Sequence, residues 1–175
     1  RCDRFQTSRA IMTPPAYTYG AFKALWQQWG GTVKGGFRVE AKPPKARALL
    51  TWQSRPLAEI IRPLNKWSNN LMARMLLFSI GAKDNARPVT RAQGEATLLK
   101  HLQSRGLDVT GIVLDNGSGL SRTTRVSSRF MTALLRQAWH SPHMPEFMAS
   151  LSIAGVDGTM RRRFRTGAER GRMHL

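Results

Sequence analysis

The stretch that decides the fold is Ser68-Asn69-Asn70-Leu71-Met72-Ala73-Arg74-Met75-Leu76-Leu77-Phe78-Ser79-Ile80, near the middle of the chain. Its apolar side chains cover nearly the whole circumference of a helix, so we expect a core helix that is buried on most sides. Ser and Asn are the residue types that most often cap helix N-termini, and they place the start of this helix near Asn69.

Amphipathic segments on both sides of the core helix predict further helices. The first covers Phe22 to Trp29 and ends at Gly30-Gly31, which suit a left-handed C-cap. Others are expected at residues 57–64, 90–106, 130–138 and 145–151, the third of them opening with a Thr90–Gln93 capping box. Short apolar or alternating runs predict modest strands at 32–40 and 48–52, and an extended segment at 111–114 that ends in an Asn-Gly turn at 115–119.

The composition favours one folded domain, or a large part of one. The chain has 175 residues, 41% of them hydrophobic, which is enough to bury a core and excludes disorder. A single cysteine, Cys2, excludes an internal disulfide framework, and no apolar run reaches the ~18 residues of a membrane span. Because the first residue is Arg1 rather than Met, we expect the chain to be cut from a longer protein.

The positive charge makes nucleic acid a partner to consider, because clustered Lys and Arg displace counterions from phosphates. There are 28 Lys and Arg against 10 Asp and Glu, a net charge of +18. The densest run is Arg161-Arg162-Arg163-Phe164-Arg165, and the remaining cations are scattered. Without zinc-finger spacing, an RNP-like motif or a Gly-rich phosphate loop, a solvated basic surface is favoured. A nucleic-acid-binding module stays open as an alternative, and an anionic polymer as substrate would also suit the charge.

Two groups of residues could carry chemistry. His140 and His143 lie three apart, but Pro142 prevents a helical display and nothing nearby completes a metal-ligand set, which favours surface histidines. Residues 68–70 have two interpretations. They are an N-cap, or they are a Ser-x-Asn element in which the Ser68 hydroxyl relays a proton and the Asn70 amide binds the substrate backbone.

Several blocks along the chain carry a family resemblance. They are Ala24-Leu25-Trp26 with Gly30-Gly31, Ser54-Arg55-Pro56-Leu57-Ala58-Glu59-Ile60, Asn65-Lys66-Trp67-Ser68-Asn69-Asn70-Leu71-Met72-Ala73, Asp115-Asn116-Gly117-Ser118-Gly119-Leu120-Ser121-Arg122, and Ala154-Gly155-Val156-Asp157-Gly158-Thr159 with the arginines after it. In this order they resemble the D-alanyl-D-alanine carboxypeptidase/endopeptidase family of low-molecular-mass class C penicillin-binding proteins. The resemblance implies a penicillin-binding/β-lactamase-like transpeptidase fold of mixed α/β (α+β) class, present in part and mainly as its helical subdomain. Residues 1–13 would be the tail of an inserted domain, and 14–175 a partial penicillin-binding domain that stops before a Lys-Thr-Gly motif.

The resemblance also implies a serine-type D-Ala-D-Ala carboxypeptidase, in which a serine attacks peptidoglycan stem peptides and water releases the acyl-enzyme. Ser68 and Asn70 match the family's second catalytic motif, as proton relay and substrate contact. Leu120 and Arg122 match its pocket for the stem-peptide side chain, where an arginine can bind a carboxylate. For Leu120 and Arg122 an inward-packed loop leucine beside a solvated arginine is an equally good interpretation.

The same resemblance implies a setting for the complete protein. Its location would be periplasmic or extracytoplasmic, and its ligands would be peptidoglycan stem peptides and β-lactams rather than a specific nucleic acid. No metal ion or organic cofactor is required. A catalytically dead muropeptide-binding protein is the second alternative.

The chain departs from the family pattern because it contains neither Ser-x-x-Lys nor Lys-Thr-Gly; we interpret Arg165-Thr166-Gly167 as a turn. Ser-x-x-Lys supplies the nucleophile and its base, so the 175 residues alone should not hydrolyse nitrocefin. A colorimetric assay with a complete penicillin-binding protein as control measures this. Turnover by the isolated chain at the rate of the control would contradict the assignment.

Overall fold

A computed structural model of the chain describes residues 11–175. The chain divides into two compact units, of which the first extends to Trp52 and the second spans Gln53–Leu175. The expected tail of an inserted domain, residues 1–13, lies mostly outside the described residues, and this boundary stays a prediction.

The first unit is built around helix α1 (Pro14–Gln28), with proline in its first turn. The following segment folds back on α1, because the Tyr19 ring stacks on Phe37 at 5.2 Å and its hydroxyl donates to the Gly35 carbonyl at 3.0 Å. The strands expected at 32–40 and 48–52 are wrong, since the described residues there form none. An extended segment becomes a strand only when a neighbour shares its backbone hydrogen bonds, and the described part of this unit pairs no backbone with it.

The second unit is mainly helical among its described residues. Its helices are α2 (Leu57–Lys66), α3 (Asn70–Gly81), α4 (Arg91–Ser104), α5 (Ser128–Trp139) and α6 (Met144–Ser150), followed by a 3-10 turn at Gly158–Met160. Two isolated antiparallel bridges join Val113 to Arg125 and Ile153 to His174. These helices and the Thr90–Gln93 capping box confirm the sequence-based helix predictions. No helix in the described range is long and apolar enough to span a membrane.

Helix α3 is less buried than its sequence suggests. It packs mainly against α4 and touches α2 near its start. Leu77 and Gly81 are buried, but Leu71 and Met75 are 66% and 47% exposed. The expectation of a helix buried on most sides is therefore wrong. Apolar composition makes burial favourable, but the described neighbours cover only one face of this helix.

The close contact of α3 with α4 depends on two glycines. A Cβ at Gly94 would lie 2.8 Å from the carbonyl oxygen of Leu77. A Cβ at Gly81 would lie 2.7 Å from a methyl group of Val89 and 2.8 Å from the Cα of Gly94. Protein interiors are too densely packed to absorb contacts this short, so both positions require glycine.

The substitution Gly94→Ala should lower the free energy of unfolding of the second unit by about 1–3 kcal/mol, because the α3 backbone must move away. This loss should outweigh the gain of about 1 kcal/mol in helix propensity. Gly20→Ala in α1 is the control for helix propensity alone, since no atom lies within 4 Å of the added Cβ, and it should stabilise the first unit, to which Gly20 belongs. Urea unfolding followed by circular dichroism compares the two variants, and stabilisation by both would contradict the packing argument.

Candidate active-site cleft

Ser68 lies in the tight turn that ends α2 and leads into α3. Its amide donates to the Asn65 carbonyl at 3.3 Å, and the next amide, that of Asn69, donates to Leu64 at 2.9 Å. These two hydrogen bonds define a Schellman motif. Ser68 has a φ of +51°, a left-handed conformation that costs a non-glycine residue roughly 1–2 kcal/mol. Glycine is the usual residue at this position, so the presence of serine favours a use for its hydroxyl other than folding.

Asn69, not Ser68, caps α3. The Asn69 Oδ1 accepts the Met72 amide at 3.0 Å. The Ser68 side chain is exposed, and its hydroxyl has no hydrogen-bond partner within residues 11–175. The cap interpretation of this tripeptide therefore applies to Asn69 and leaves the Ser68 hydroxyl without a structural role.

Asn70 is the first residue of α3, and it contacts the loop at 115–119. Its Nδ2 donates to the Ser118 carbonyl at 2.6 Å. Only the amide nitrogen of Asn can donate to a carbonyl, so this bond fixes the orientation of the side chain and leaves Oδ1 as an acceptor.

The loop at 115–119 is held by its own side chains. Asn116 Oδ1 accepts both the amide of Ser118, at 2.9 Å, and its hydroxyl. The same Ser118 oxygen accepts the Leu120 amide at 3.2 Å. Gly117 has a φ of +70°, which confirms the predicted Asn-Gly turn, and a Cβ there would lie 3.2 Å from the Cβ of Leu77. The loop is thus internally fixed and rests on α3.

A cleft of about 650 Å³ lies between the Ser68 turn and this loop. Residues 68–70 and 117–120 contribute to its lining, and Phe147, Leu151 and Met160 add apolar surface. The cleft therefore combines a few fixed polar groups with apolar walls, as small-molecule and peptide sites usually do.

Three of the four predicted site residues line this cleft: Ser68, Asn70 and Leu120. Leu120 is 71% exposed, so the interpretation as an inward-packed loop leucine is wrong. Arg122 is exposed but is not among the residues that line the cleft. The catalytic and binding roles of all four residues stay predictions.

An ion pair between the buried Lys66 and the partly exposed Asp157 anchors the Ser68 turn to a distant part of the second unit. The side chain of Lys66, in the last turn of α2, is 9% exposed and lies 2.5 Å from the Asp157 carboxylate. The hydroxyl of Ser152 donates to the Lys66 carbonyl at 3.2 Å. One residue earlier, Asn65 Nδ2 donates to the buried Ser150 hydroxyl at 2.8 Å. The two residues before the turn, Asn65 and Lys66, are therefore fixed by contacts with the segment at 150–157.

The surroundings of Asp157 lower the pKa of its carboxyl group. Burial is the largest single effect and acts to raise the pKa, but it is outweighed by hydrogen bonds from Lys66 and from the Ile153 amide and by the charges of Lys66 and Arg62. The amide bond from Ile153 is 2.7 Å long. Asp157 is thus held in its charged form opposite Lys66.

The sequence-based site did not include Lys66, Asp157 or Ser118. The first two residues are 91 positions apart. A lysine in the last turn of a helix is common because it opposes the helix dipole, so nothing local marks Lys66 as paired. The only signal was their presence in two of the blocks that resemble the family.

No three His, Cys, Asp or Glu side chains within residues 11–175 are close enough together to hold a metal ion. His140 and His143 are exposed, as expected for surface histidines. The candidate chemistry of the cleft therefore rests on hydroxyl and amide groups.

The helices around the Ser68 turn and its cleft define a domain of the penicillin-binding class. The structure matches penicillin-binding protein 4 of Haemophilus influenzae, crystallised in complex with a novel β-lactam, with a TM-score of 0.82 and 25% identity. The match covers 95% of this chain and 39% of that protein. A second crystal structure of the same protein gives a TM-score of 0.81 over 93% of this chain.

The sequence matches the model of the D-Ala-D-Ala carboxypeptidase 3 (S13) family over residues 1–175, and the chain belongs to this family. It is 35% identical over 171 residues to the D-alanyl-D-alanine carboxypeptidase of Actinomadura sp. (strain R39), covering 93% of this chain and 32% of that protein. It is 28% identical over 156 residues to the D-alanyl-D-alanine carboxypeptidase DacB of Haemophilus influenzae, covering 89% of this chain and 33% of that relative. The predicted family and fold are confirmed, and the chain spans about a third of the length of these relatives.

The substitution Asp157→Asn should make the free energy of unfolding less dependent on pH in the acidic range. Because the folded state lowers the pKa of Asp157, its carboxylate contributes stability that is complete above the unfolded pKa of about 3.9 and is lost as the pH falls through the lowered value. The variant should be less stable near neutral pH, since Lys66 loses its partner, and its urea midpoint should fall less on acidification.

Asp108→Asn is the control for this experiment. The pKa of Asp108 is also lowered, first by the side-chain and then by the backbone hydrogen bond of Thr110, but Asp108 is exposed and faces no buried cation. Its removal should change the pH dependence of the midpoint less than removal of Asp157. Equal effects at the two positions would contradict the importance of the buried pair.

Proposed function

We propose that this chain forms one wall of the active site of a serine-type D-Ala-D-Ala carboxypeptidase/endopeptidase that cleaves peptidoglycan stem peptides through an acyl-enzyme. The observation that carries the proposal is the exposed Ser68 hydroxyl on a left-handed turn, next to Asn70 on the same cleft. Membership of the family supports this chemistry. The activity is proposed for the whole protein, since the chain spans about a third of the relatives' length.

Ser68 would relay the proton. A hydroxyl can accept a hydrogen bond and donate one at the same time, so it can take a proton from one group while passing its own to the next. In acyl transfer, the departing amine of the terminal D-Ala needs a proton, and a hydroxyl at the edge of the cleft can deliver it. Within residues 11–175 the Ser68 hydroxyl has no hydrogen-bond partner. It can therefore both donate a hydrogen bond to, and accept one from, groups that enter the cleft.

Asn70 would orient the substrate. One N–H of its Nδ2 is bonded to the Ser118 carbonyl, which orients the side chain so that its Oδ1 can accept an N–H of the stem peptide. Because this side chain is tied to a loop with its own hydrogen bonds, its position is fixed before the substrate binds. Such pre-organisation lowers the entropic cost of reaching a reactive geometry.

Leu120 and Arg122 would bind the stem-peptide side chain. Leu120 is exposed at the edge of the cleft, close to the apolar surface of Phe147 and Leu151. Arg122 forms no ion pair with any described carboxylate, so its guanidinium can make charge-assisted hydrogen bonds to an acidic group of the ligand. Arg122 lies two residues beyond Leu120 and outside the cleft lining, so it would meet the acidic end of a side chain whose aliphatic part contacts Leu120.

Other parts of the protein would supply the rest of the reaction. Neither Ser-x-x-Lys nor Lys-Thr-Gly occurs in the 175 residues, so the nucleophile and its base would come from elsewhere. Penicillin-binding protein 4 of Haemophilus influenzae was crystallised in complex with a β-lactam, which supports β-lactam binding by the whole protein here. Peptidoglycan lies outside the cytoplasmic membrane, which gives the protein a periplasmic or extracytoplasmic location.

In the full-length protein, Ser68→Ala should lower kcat for a D-Ala-D-Ala peptide by about 10²–10⁴-fold, the range for loss of a positioned proton-transfer group. Ser68→Gly should lose activity equally and yet raise the free energy of unfolding by about 0.5–1 kcal/mol, because glycine accepts the positive φ. D-Ala release and urea unfolding measure the two effects.

Ser79 provides the matched control. It is exposed on α3 outside the cleft, so Ser79→Ala should leave kcat unchanged, and Ser79→Gly should destabilise the helix by about 0.5 kcal/mol. Unchanged turnover in Ser68→Ala would defeat the proposed relay. Muropeptide binding without any turnover in the unmodified full-length protein would instead favour a catalytically dead binding protein.

A further inference from the structure

We propose that the second unit carries an additional binding site, separate from the cleft, for a compact ligand with two or more phosphate groups. The site is a cavity of about 500 Å³ lined by Arg161, Arg162, Arg165 and Arg170, with Gly155 between them. We call it the arginine pocket. None of its lining residues lines the Ser68 cleft, and its existence does not depend on the proposed enzymatic function.

The arginine pocket is a concave feature of the backbone and not a flat patch of scattered charge. Gly155 has a φ of +67°, and its amide donates to the Met160 carbonyl at 3.1 Å. A Cβ at Gly155 would clash with the Phe164 carbonyl and lie 3.0 Å from the Cγ of Arg170. Glycine therefore allows the arginine-bearing segment to pack against this position, and four arginines line the cavity that results.

The charge of the pocket is not compensated by the described residues. Its four arginines form no ion pair within residues 11–175, where the paired cations are Arg38, Lys66 and Arg91. The carboxylate of Asp157 is bonded to Lys66 and to the Ile153 amide. The carboxylate of Glu169, which precedes Arg170 in the sequence, forms no ion pair within residues 11–175. Like charges around one cavity repel one another, so a bound anion would stabilise the folded segment.

The chemistry of the lining selects phosphate. A guanidinium group presents a planar fork of donors that matches two oxygens of a phosphate, and it keeps its charge at any physiological pH. Four such groups exceed what one monovalent carboxylate can satisfy, but they suit two neighbouring phosphates. The cavity is open to solvent and its four arginines are exposed, but its volume of about 500 Å³ suits a compact group. A nucleic-acid duplex is usually met by a groove-filling helix or an extended basic surface.

Inorganic pyrophosphate is the probe for this chemistry, and isothermal titration of the full-length protein measures its binding. Arg162→Ala/Arg165→Ala should weaken pyrophosphate binding roughly tenfold or more, since each variant side chain removes charge-assisted hydrogen bonds. Arg162→Lys/Arg165→Lys keeps the charge and should lose part of the affinity, because the fork geometry is gone. This second variant separates a binding defect from a folding defect.

The control variant is Arg74→Ala/Arg136→Ala, which removes the same charge from two exposed helical positions outside the pocket. It should bind pyrophosphate as the unmodified protein does. An equal loss of affinity in the control would overturn the proposal, because general electrostatic attraction would then account for binding. Failure of the unmodified protein to bind either pyrophosphate or cardiolipin would overturn it as well.

The source of the phosphates is tested with vesicles of phosphatidylcholine, prepared with and without cardiolipin, whose headgroup carries two phosphates. Cardiolipin-dependent sedimentation that Arg162→Ala/Arg165→Ala abolishes would assign the pocket to a lipid headgroup, and pyrophosphate binding without sedimentation would assign it to a soluble ligand. Either result supports the site. Binding of duplex DNA that displaces pyrophosphate, with affinity falling by decades as salt rises, would replace it with a nucleic-acid surface.

Discussion

A buried lysine needs a partner, and the pairing of Lys66 with Asp157 decides how two segments 91 residues apart are joined. An unpaired charge in this position would cost several kcal/mol, so the segment around Asp157 must lie against the end of α2 in the folded state. The Ser152 hydroxyl bonds to the Lys66 carbonyl, and Gly158 has no Cβ to keep that backbone at a distance. The Ser68 turn starts two residues after this anchor. Its direction is therefore set by contacts outside the cleft, which leaves the cleft residues free to be chosen for chemistry.

Residues 68–70 divide three tasks among three consecutive positions. Ser68 takes the left-handed conformation that ends one helix, Asn69 caps the next, and Asn70 forms the hydrogen bond to the loop at 115–119. Of these three positions, only Ser68 has a backbone conformation that its residue type disfavours. Strain of this kind is retained where a side chain has a function, at a cost in stability that the surrounding structure offsets.

Much of this architecture could be predicted because its signals are local. The helices were predicted from the spacing of apolar residues and from the Thr90–Gln93 capping box. Both signals act within one or two helical turns. The burial of α3 and the strand at 32–40 were predicted wrongly, because both depend on neighbours that a segment's own sequence does not reveal. Ser68, Asn70 and Leu120 were found through the order of several family blocks. The Lys66–Asp157 pair was missed as a contact because each residue alone is ordinary for its position.

Leu77 connects the interior of the second unit to the cleft. Its carbonyl faces Gly94 of α4, while its side chain supports Gly117 in the loop that carries Leu120. The volume of this core residue therefore helps to determine where the loop lies, together with the hydrogen bond from Asn70 to the Ser118 carbonyl. A change of side chain at position 77 would therefore alter the shape of the cleft without replacing any residue that lines it.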